Sequence, residues 1–141
     1  MTHYLLDTNI ISETVRPLPS AALLDWLGRQ ADTDLFIAAL TVAEIRRGIL
    51  DLPAGAKRSA LDAWFDGPEG PAALFAGRIL SFDLRGASAW AQLMADGKAI
   101  GRPRSAFDMI IAATAITNGC VVVSANERDF DCVPTINPLR A

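Results

Sequence analysis

Soft metal ligands are scarce in this chain, which has one histidine, two cysteines and one tyrosine among 141 residues. Cys120 and Cys132 fit no zinc-site spacing, so a structural zinc centre is excluded. A disulfide framework is not needed either, because a chain of this length buries roughly 68% of its unfolded surface on folding. Both cysteines read as reduced thiols of a cytosolic protein, with Cys120 opening the apolar run CVVV. His3, beside an N-terminal strand, reads as a surface or edge residue rather than a ligand. Long apolar runs are missing too. Met109–Ile116 is the most apolar stretch near the C-terminus, and it falls far short of the ~20 residues that span a bilayer. The opening MTHYLLDTNII has no basic segment and does not read as a signal peptide. A basic balance is absent as well: 13 Lys and Arg against 16 Asp and Glu leave a net charge of −3, on its face an argument against a nucleic-acid partner.

What is present is apolar and periodic. Half of the residues (51%) are hydrophobic and only 21% are charged, enough for a sizeable core and too little charge for a disordered chain. No repeat, charge block or linker divides the sequence, so residues 1–141 are expected to form a single domain. Short apolar runs at Tyr4–Leu6, Leu35–Ala38, Ile79–Phe82 and Cys120–Val123 read as strands, with a short fifth at Thr135–Ile136. Ser20–Gln30, Thr41–Leu52, Ala54–Phe65, Leu84–Ala99 and Ser105–Asn118 read as helices, with stripes such as Leu61, Trp64 and Phe65 at helical spacing. Strands alternating with helices give an α/β class, here a three-layer α/β/α sandwich with a central parallel sheet.

That architecture gathers ligands beyond the carboxyl ends of the strands. Four acids fall there: Asp7 after the first strand, Glu44 in the first turn of TVAEIRRG, Asp108 in the first turn of SAFDMIIAATA, and Asp129 in SANERDF, with Asn126 nearby. Each has a plainer reading. Thr41-x-x-Glu44, Ser105-x-x-Asp108 and Ser124-x-x-Glu127 all fit the capping-box spacing or its Asp variant, and Asp7 fits a cap for a helix starting near Thr8. Taken singly, capping is the simpler account. Taken together the acids crowd one end of the sheet, and two carboxylates ~4 Å apart repel by roughly 4 kcal/mol at an effective dielectric of 20. An all-oxygen cluster of that kind selects a hard divalent ion, Mg2+ or Mn2+, and with it phosphodiester hydrolysis.

The segments LLDTNIISE, TVAEIRRG, FAGRILSFD, FDMIIAATA and VVVSANERDF, in this order, resemble the PIN-domain ribonucleases of the VapC type, toxins of bacterial toxin–antitoxin pairs, and among them the FitB-like branch. The resemblance runs over nearly the whole chain. It implies a PIN-like α/β/α fold, a pocket for Mg2+ or Mn2+, cleavage of single-stranded RNA, homodimerisation and neutralisation by a small antitoxin of the VapB or FitA type. Carried over residue by residue, it makes Asp7 and Asp108 the direct metal ligands and Glu44 the third acid, which also orients the attacking water. Thr8, Asn9 and Ser124 become the donors that hold these carboxylates. Relatives often have an acid where this chain has Asn126, so either Asp129 turns inward as the fourth acid or the site runs with three.

The stretch Arg85–Phe107 holds Arg85, Lys98, Arg102 and Arg104 against only Asp96, which qualifies the inference from net charge. Arg102 and Arg104 precede the helix of Asp108, and Arg46 follows Glu44, so all three are expected to contact RNA phosphates, with a solvated surface as the plainer reading. Leu61, Trp64, Phe65, Leu74 and Phe75 are either core or a groove for the antitoxin or a second copy. A different class of function also fits the chain: a non-catalytic partner or co-repressor module that assembles with a DNA-binding antitoxin. A phosphatase with an aspartyl nucleophile is set aside, because Asp7-Thr8-Asn9 lacks the second aspartate.

Overall fold

The computed structural model describes residues 1–140. Five parallel strands, β1 (His3–Leu6), β2 (Leu35–Ala38), β3 (Ile79–Leu80), β4 (Cys120–Val123) and β5 (Thr135–Ile136), form one sheet in the order β3-β2-β1-β4-β5. Seven α-helices surround it: α1 (Thr8–Thr14), α2 (Ala21–Gly28), α3 (Ala39–Leu50), α4 (Ala56–Asp66), α5 (Pro71–Leu74), α6 (Leu84–Ala99) and α7 (Ala106–Asn118). The expected sandwich is present.

Alternation along the strands makes the three layers, because successive side chains leave a strand on opposite faces. Leu5, Ala38 and Val122 point into a core with Leu93 of α6 and Met109, Ile111 and Ala112 of α7. Their neighbours Leu6, Ile37 and Val123 point the other way, against Ile10 and Ile11 of α1, Leu23 of α2 and Ile45 and Ile49 of α3. The three inner strands, β2, β1 and β4, are therefore apolar on both faces, as buried parallel strands must be. Leu61, Trp64 and Phe65 of α4 pack at the edge of the second core.

The boundaries differ from the sequence reading in instructive places. The third strand stops at Leu80 rather than Phe82, because Asp83 turns out to cap α6 by accepting from the Gly86 amide. Helix α3 begins at Ala39, directly from β2, so Thr41 is no cap. It lies fully buried inside the helix, and Glu44 sits in the second turn rather than the first. Ser124 does not start a capping box with Glu127 either. Its hydroxyl is engaged by Asp7 and by the Asn126 amide, and Asn126 precedes the short 3-10 turn Glu127–Phe130. By contrast Ser105 caps α7 as its spacing suggests, accepting from the Asp108 amide. Gly119, with φ +66°, ends α7 in the left-handed conformation that glycine adopts at little cost and turns the chain into β4.

Candidate active site

The chain leaves β1 for β2 on one side and joins β4 on the other, so the strand order reverses between β1 and β4. In such sheets the carboxyl ends of those two strands frame a crevice. Leu6 pairs with Val123 in register, and the Asp7 amide donates to the Val123 carbonyl at 2.9 Å. Asp7 and Ser124, the first residues beyond the paired strands, are thereby brought side by side.

Asp7 is 6% exposed, an unusual place for a carboxylate. Its Oδ1 accepts from the Thr8 amide at 2.8 Å, capping α1, and its Oδ2 accepts from the Ser124 hydroxyl, also at 2.8 Å. Burial nevertheless pushes its pKa up from 3.8 to about 6. The two hydrogen bonds oppose this shift, and the charges of Asp108 and Glu44 add to it. Ser124 is itself clamped, accepting from the Asn126 amide at 3.0 Å and from the Asn9 side chain at 3.4 Å. Asn9 also accepts from the Ala125 amide at 3.2 Å, which ties α1 to the end of β4.

Glu44 reaches the same place from α3, where the Thr8 hydroxyl donates to its Oε1 at 2.7 Å. Asp108 enters from the first turn of α7, half-buried. Burial raises its pKa first, then the charges of Asp129 and Glu44, against a lowering from Ser105. Asp7, Thr8, Asn9, Glu44, Asp108 and Asn126 line one open cleft of about 600 Å3. Asp129 does not line it. It sits in the neighbouring depressions with Arg128, although Asp108 feels its charge.

The expected phosphate contacts lie apart. Arg46 turns to α4, pairs with Asp62 at 2.6 Å and stacks over the Phe65 ring. Arg104 donates to the Leu93 carbonyl at 2.7 Å, and Arg102 pairs with Asp131 at 2.9 Å, both beyond Asn126. Arg85 donates to the Thr117 carbonyl at the far end of α7, so the basic stretch read along the sequence is divided in space. Sequence reading missed Glu13 and Arg16, which line the cleft from α1 and from just past its end. Their signal is the polar spacing of Asn9, Ser12 and Glu13, which places one wet stripe on a helix otherwise anchored by Ile10 and Ile11, with Arg16 following its end. Arg16 is held by Glu13 at 3.1 Å.

The donors facing the cleft are oxygens, with no histidine or cysteine among its lining residues, as suits a hard divalent cation. Among the described residues no three His, Cys, Asp or Glu side chains close into a ready ligand group. A cation here would take one or two of these carboxylates and complete its shell with water, the habit of Mg2+. The raised pKa of Asp7 is the physical sign of fit, since a positive charge at this point relieves both its burial and its acidic neighbours.

Residues 4–135 match the model of the PIN domain. The chain is similar to the VapC ribonuclease Y4jK of Sinorhizobium fredii, at 38% identity over 95% of this chain and 96% of that one. It is also similar to Toxin FitB of Neisseria gonorrhoeae, at 39% identity over 89% of each. Among solved structures it resembles FitAB bound to an IR36 DNA fragment, with a TM-score of 0.90, 36% identity, and 98% and 96% of the two chains covered. The sequence match, the five-stranded parallel sheet and the acidic crevice at its reversal point agree, and the chain belongs to the PIN-domain family.

Proposed function

We propose that this protein is a metal-dependent endoribonuclease that cuts single-stranded RNA, the toxin of a toxin–antitoxin pair. The observation that carries the proposal is Asp7: a buried carboxylate at the strand-order reversal, pushed up to about 6 by burial with Asp108 and Glu44 adding their charge. In this reading Asp7 and Asp108 hold Mg2+ or Mn2+, and Glu44 is the third acid. When bound, such an ion acidifies water and offsets the charge that builds on a phosphodiester under attack. The chain's own part is positional. Ser124 and the Thr8 amide fix the two oxygens of Asp7, the Thr8 hydroxyl fixes Glu44 to orient the attacking water, and Asn9 holds Ser124 in place. Asn126 takes the fourth corner with an uncharged side chain, and Asp129 acts on Asp108 through its field alone.

The test is cleavage of a labelled single-stranded RNA by the purified chain, with Mg2+ or Mn2+ and with EDTA. The expected result is cutting only with metal, and its loss in both Asp7→Asn and Asp108→Asn. Cutting that persists in EDTA or in both variants sinks the assignment.

A small VapB- or FitA-type antitoxin is the proposed inhibitor. The relative solved as FitAB on DNA supports that pairing, and with it a second role as co-repressor partner of a DNA-binding antitoxin. An open groove of about 760 Å3 between α1, α3 and α4 shares Thr8, Ser12, Arg16 and Glu44 with the acidic cleft and continues over Leu61 and Trp64. It is the proposed seat of that partner, so the stripe on α4 serves the core on one side and the groove on the other.

A further inference from the structure

Beyond Asn126 the acidic cleft opens into a second depression of about 430 Å3, which shares Ala125 and Asn126 with it and continues to Arg102, Arg128 and Arg140, three cations against the two carboxylates Glu127 and Asp129. A substrate strand meets a problem at the cleft itself, where four carboxylates (Asp7, Glu13, Glu44 and Asp108) face a single guanidinium, Arg16, that is already paired. One divalent cation bound there would still leave this lining net negative by one, so the flanking phosphates need cations beside the cleft to hold the rest of the backbone.

The arginines beyond Asn126 are not equivalent. Arg102 pairs with Asp131 at 2.9 Å and Arg140 with Glu127 at 3.1 Å. The Arg104 guanidinium is committed to the Leu93 carbonyl, and its stem packs where a side chain at Gly97 would otherwise stand. Arg128 is exposed and, among the described residues, has no carboxylate within ion-pair distance. It is also held on a firm base. Its 3-10 turn is closed by the Asp129 amide donating to the Asn126 carbonyl at 3.1 Å and is pinned by Phe130, which is fully buried.

We infer that Arg128, with Arg102 beside it, is a phosphate-binding subsite that holds the RNA backbone next to the cleft and sets the path of the strand across Asn126. This rests on the ribonuclease reading and adds a positioning residue to it.

The experiment compares wild type, Arg128→Glu, Arg128→Lys and a control, Arg29→Glu, whose position after α2 leads toward the opposite end of the sheet. A labelled single-stranded RNA is followed by cleavage kinetics with Mg2+ and by fluorescence anisotropy in EDTA over a salt series. Arg128→Glu is expected to raise KM about tenfold with kcat within about twofold, and to flatten the salt dependence of binding by ~0.7, the share of one neutralised phosphate on a single strand. Arg128→Lys recovers most of the affinity, and the control matches wild type. Arg128→Gln replaces the Glu variant if thermal unfolding shows the latter misfolded. A KM and salt slope equal to wild type overturn the subsite alone. A wild-type chain that neither binds nor cuts RNA fails the underlying reading and takes the subsite with it.

Discussion

Asp7 shows why the choice between a capping residue and a site residue is not a real alternative. One oxygen caps α1 and the other receives Ser124, so a single carboxylate serves the helix and faces the cleft at once. Its pKa has a direct consequence for stability. The folded value, about 6, lies above the ordinary 3.8, so folding takes up a proton between these limits. Well below pH 3.8 both states are protonated and no charge is buried. Stability of the metal-free protein then falls as pH rises toward 6, by a total on the order of 3 kcal/mol, and is flat beyond. Asp7→Asn is therefore expected to raise the melting temperature in EDTA at pH 7.5 and to give no gain at pH 4, read by scanning calorimetry. Ser124→Ala works in the opposite sense. It removes a hydrogen bond that favours ionised Asp7, so the acid limb of the pH–rate profile moves to higher pH, with about 1–3 kcal/mol of stability lost for the donor removed.

At the scale of elements, α7 and β4 deliver the site as one unit. Asp108 lies in the first turn of the helix, Gly119 turns the chain, and Ser124 follows the strand. Nothing lies within 4 Å of a side chain added at Gly119, so Gly119→Ala meets no clash and suffers only from its left-handed backbone. The expected loss is roughly 1–2 kcal/mol in urea unfolding, with cleavage otherwise retained. Gly97 is a different case, since a methyl there would stand 2.9 Å from the Arg104 stem and 3.0 Å from the Arg102 carbonyl. Gly97→Ala is expected to displace the loop bearing both arginines and so to raise KM for RNA with kcat held, read by cleavage kinetics.

For the whole molecule, the net charge of −3 hides an uneven distribution: an acidic crevice lies beside a depression where three arginines outnumber Glu127 and Asp129. A cation bound in the crevice stabilises only the folded form, by about 2.7 kcal/mol at a hundred times its dissociation constant. Because Asp7 must lose its proton to bind, the rise in melting temperature with Mg2+ or Mn2+ is expected above pH 6 and is expected to vanish near pH 4. A rise of equal size at both values rules Asp7 out as a ligand. The homodimer implied by the resemblance is read from light scattering of the chain alone, where a monomer at micromolar concentration argues against it.

Local patterns in the sequence were legible because they report local physics. The strand runs, the Ser105 cap and the end of α7 at Gly119 each depend on residues a few positions apart. Asp7, Glu44 and Asp108 were legible as candidates for the same reason, since each follows a strand or opens near a helix start. Spacing misled where a cap motif had no free helix end to serve, as with Thr41 and Ser124, whose hydroxyls meet Thr8 and Asp7 at the carboxyl ends of the strands. The class of fold and the acidic residues thus followed from the sequence by itself. The tertiary structure decided which of them meet. Only the reversal between β1 and β4 sets Ser124 on Asp7 across 117 positions, and only packing decides which arginines are paired, as Arg46 and Arg102 are with Asp62 and Asp131, because both depend on neighbours that are distant along the chain.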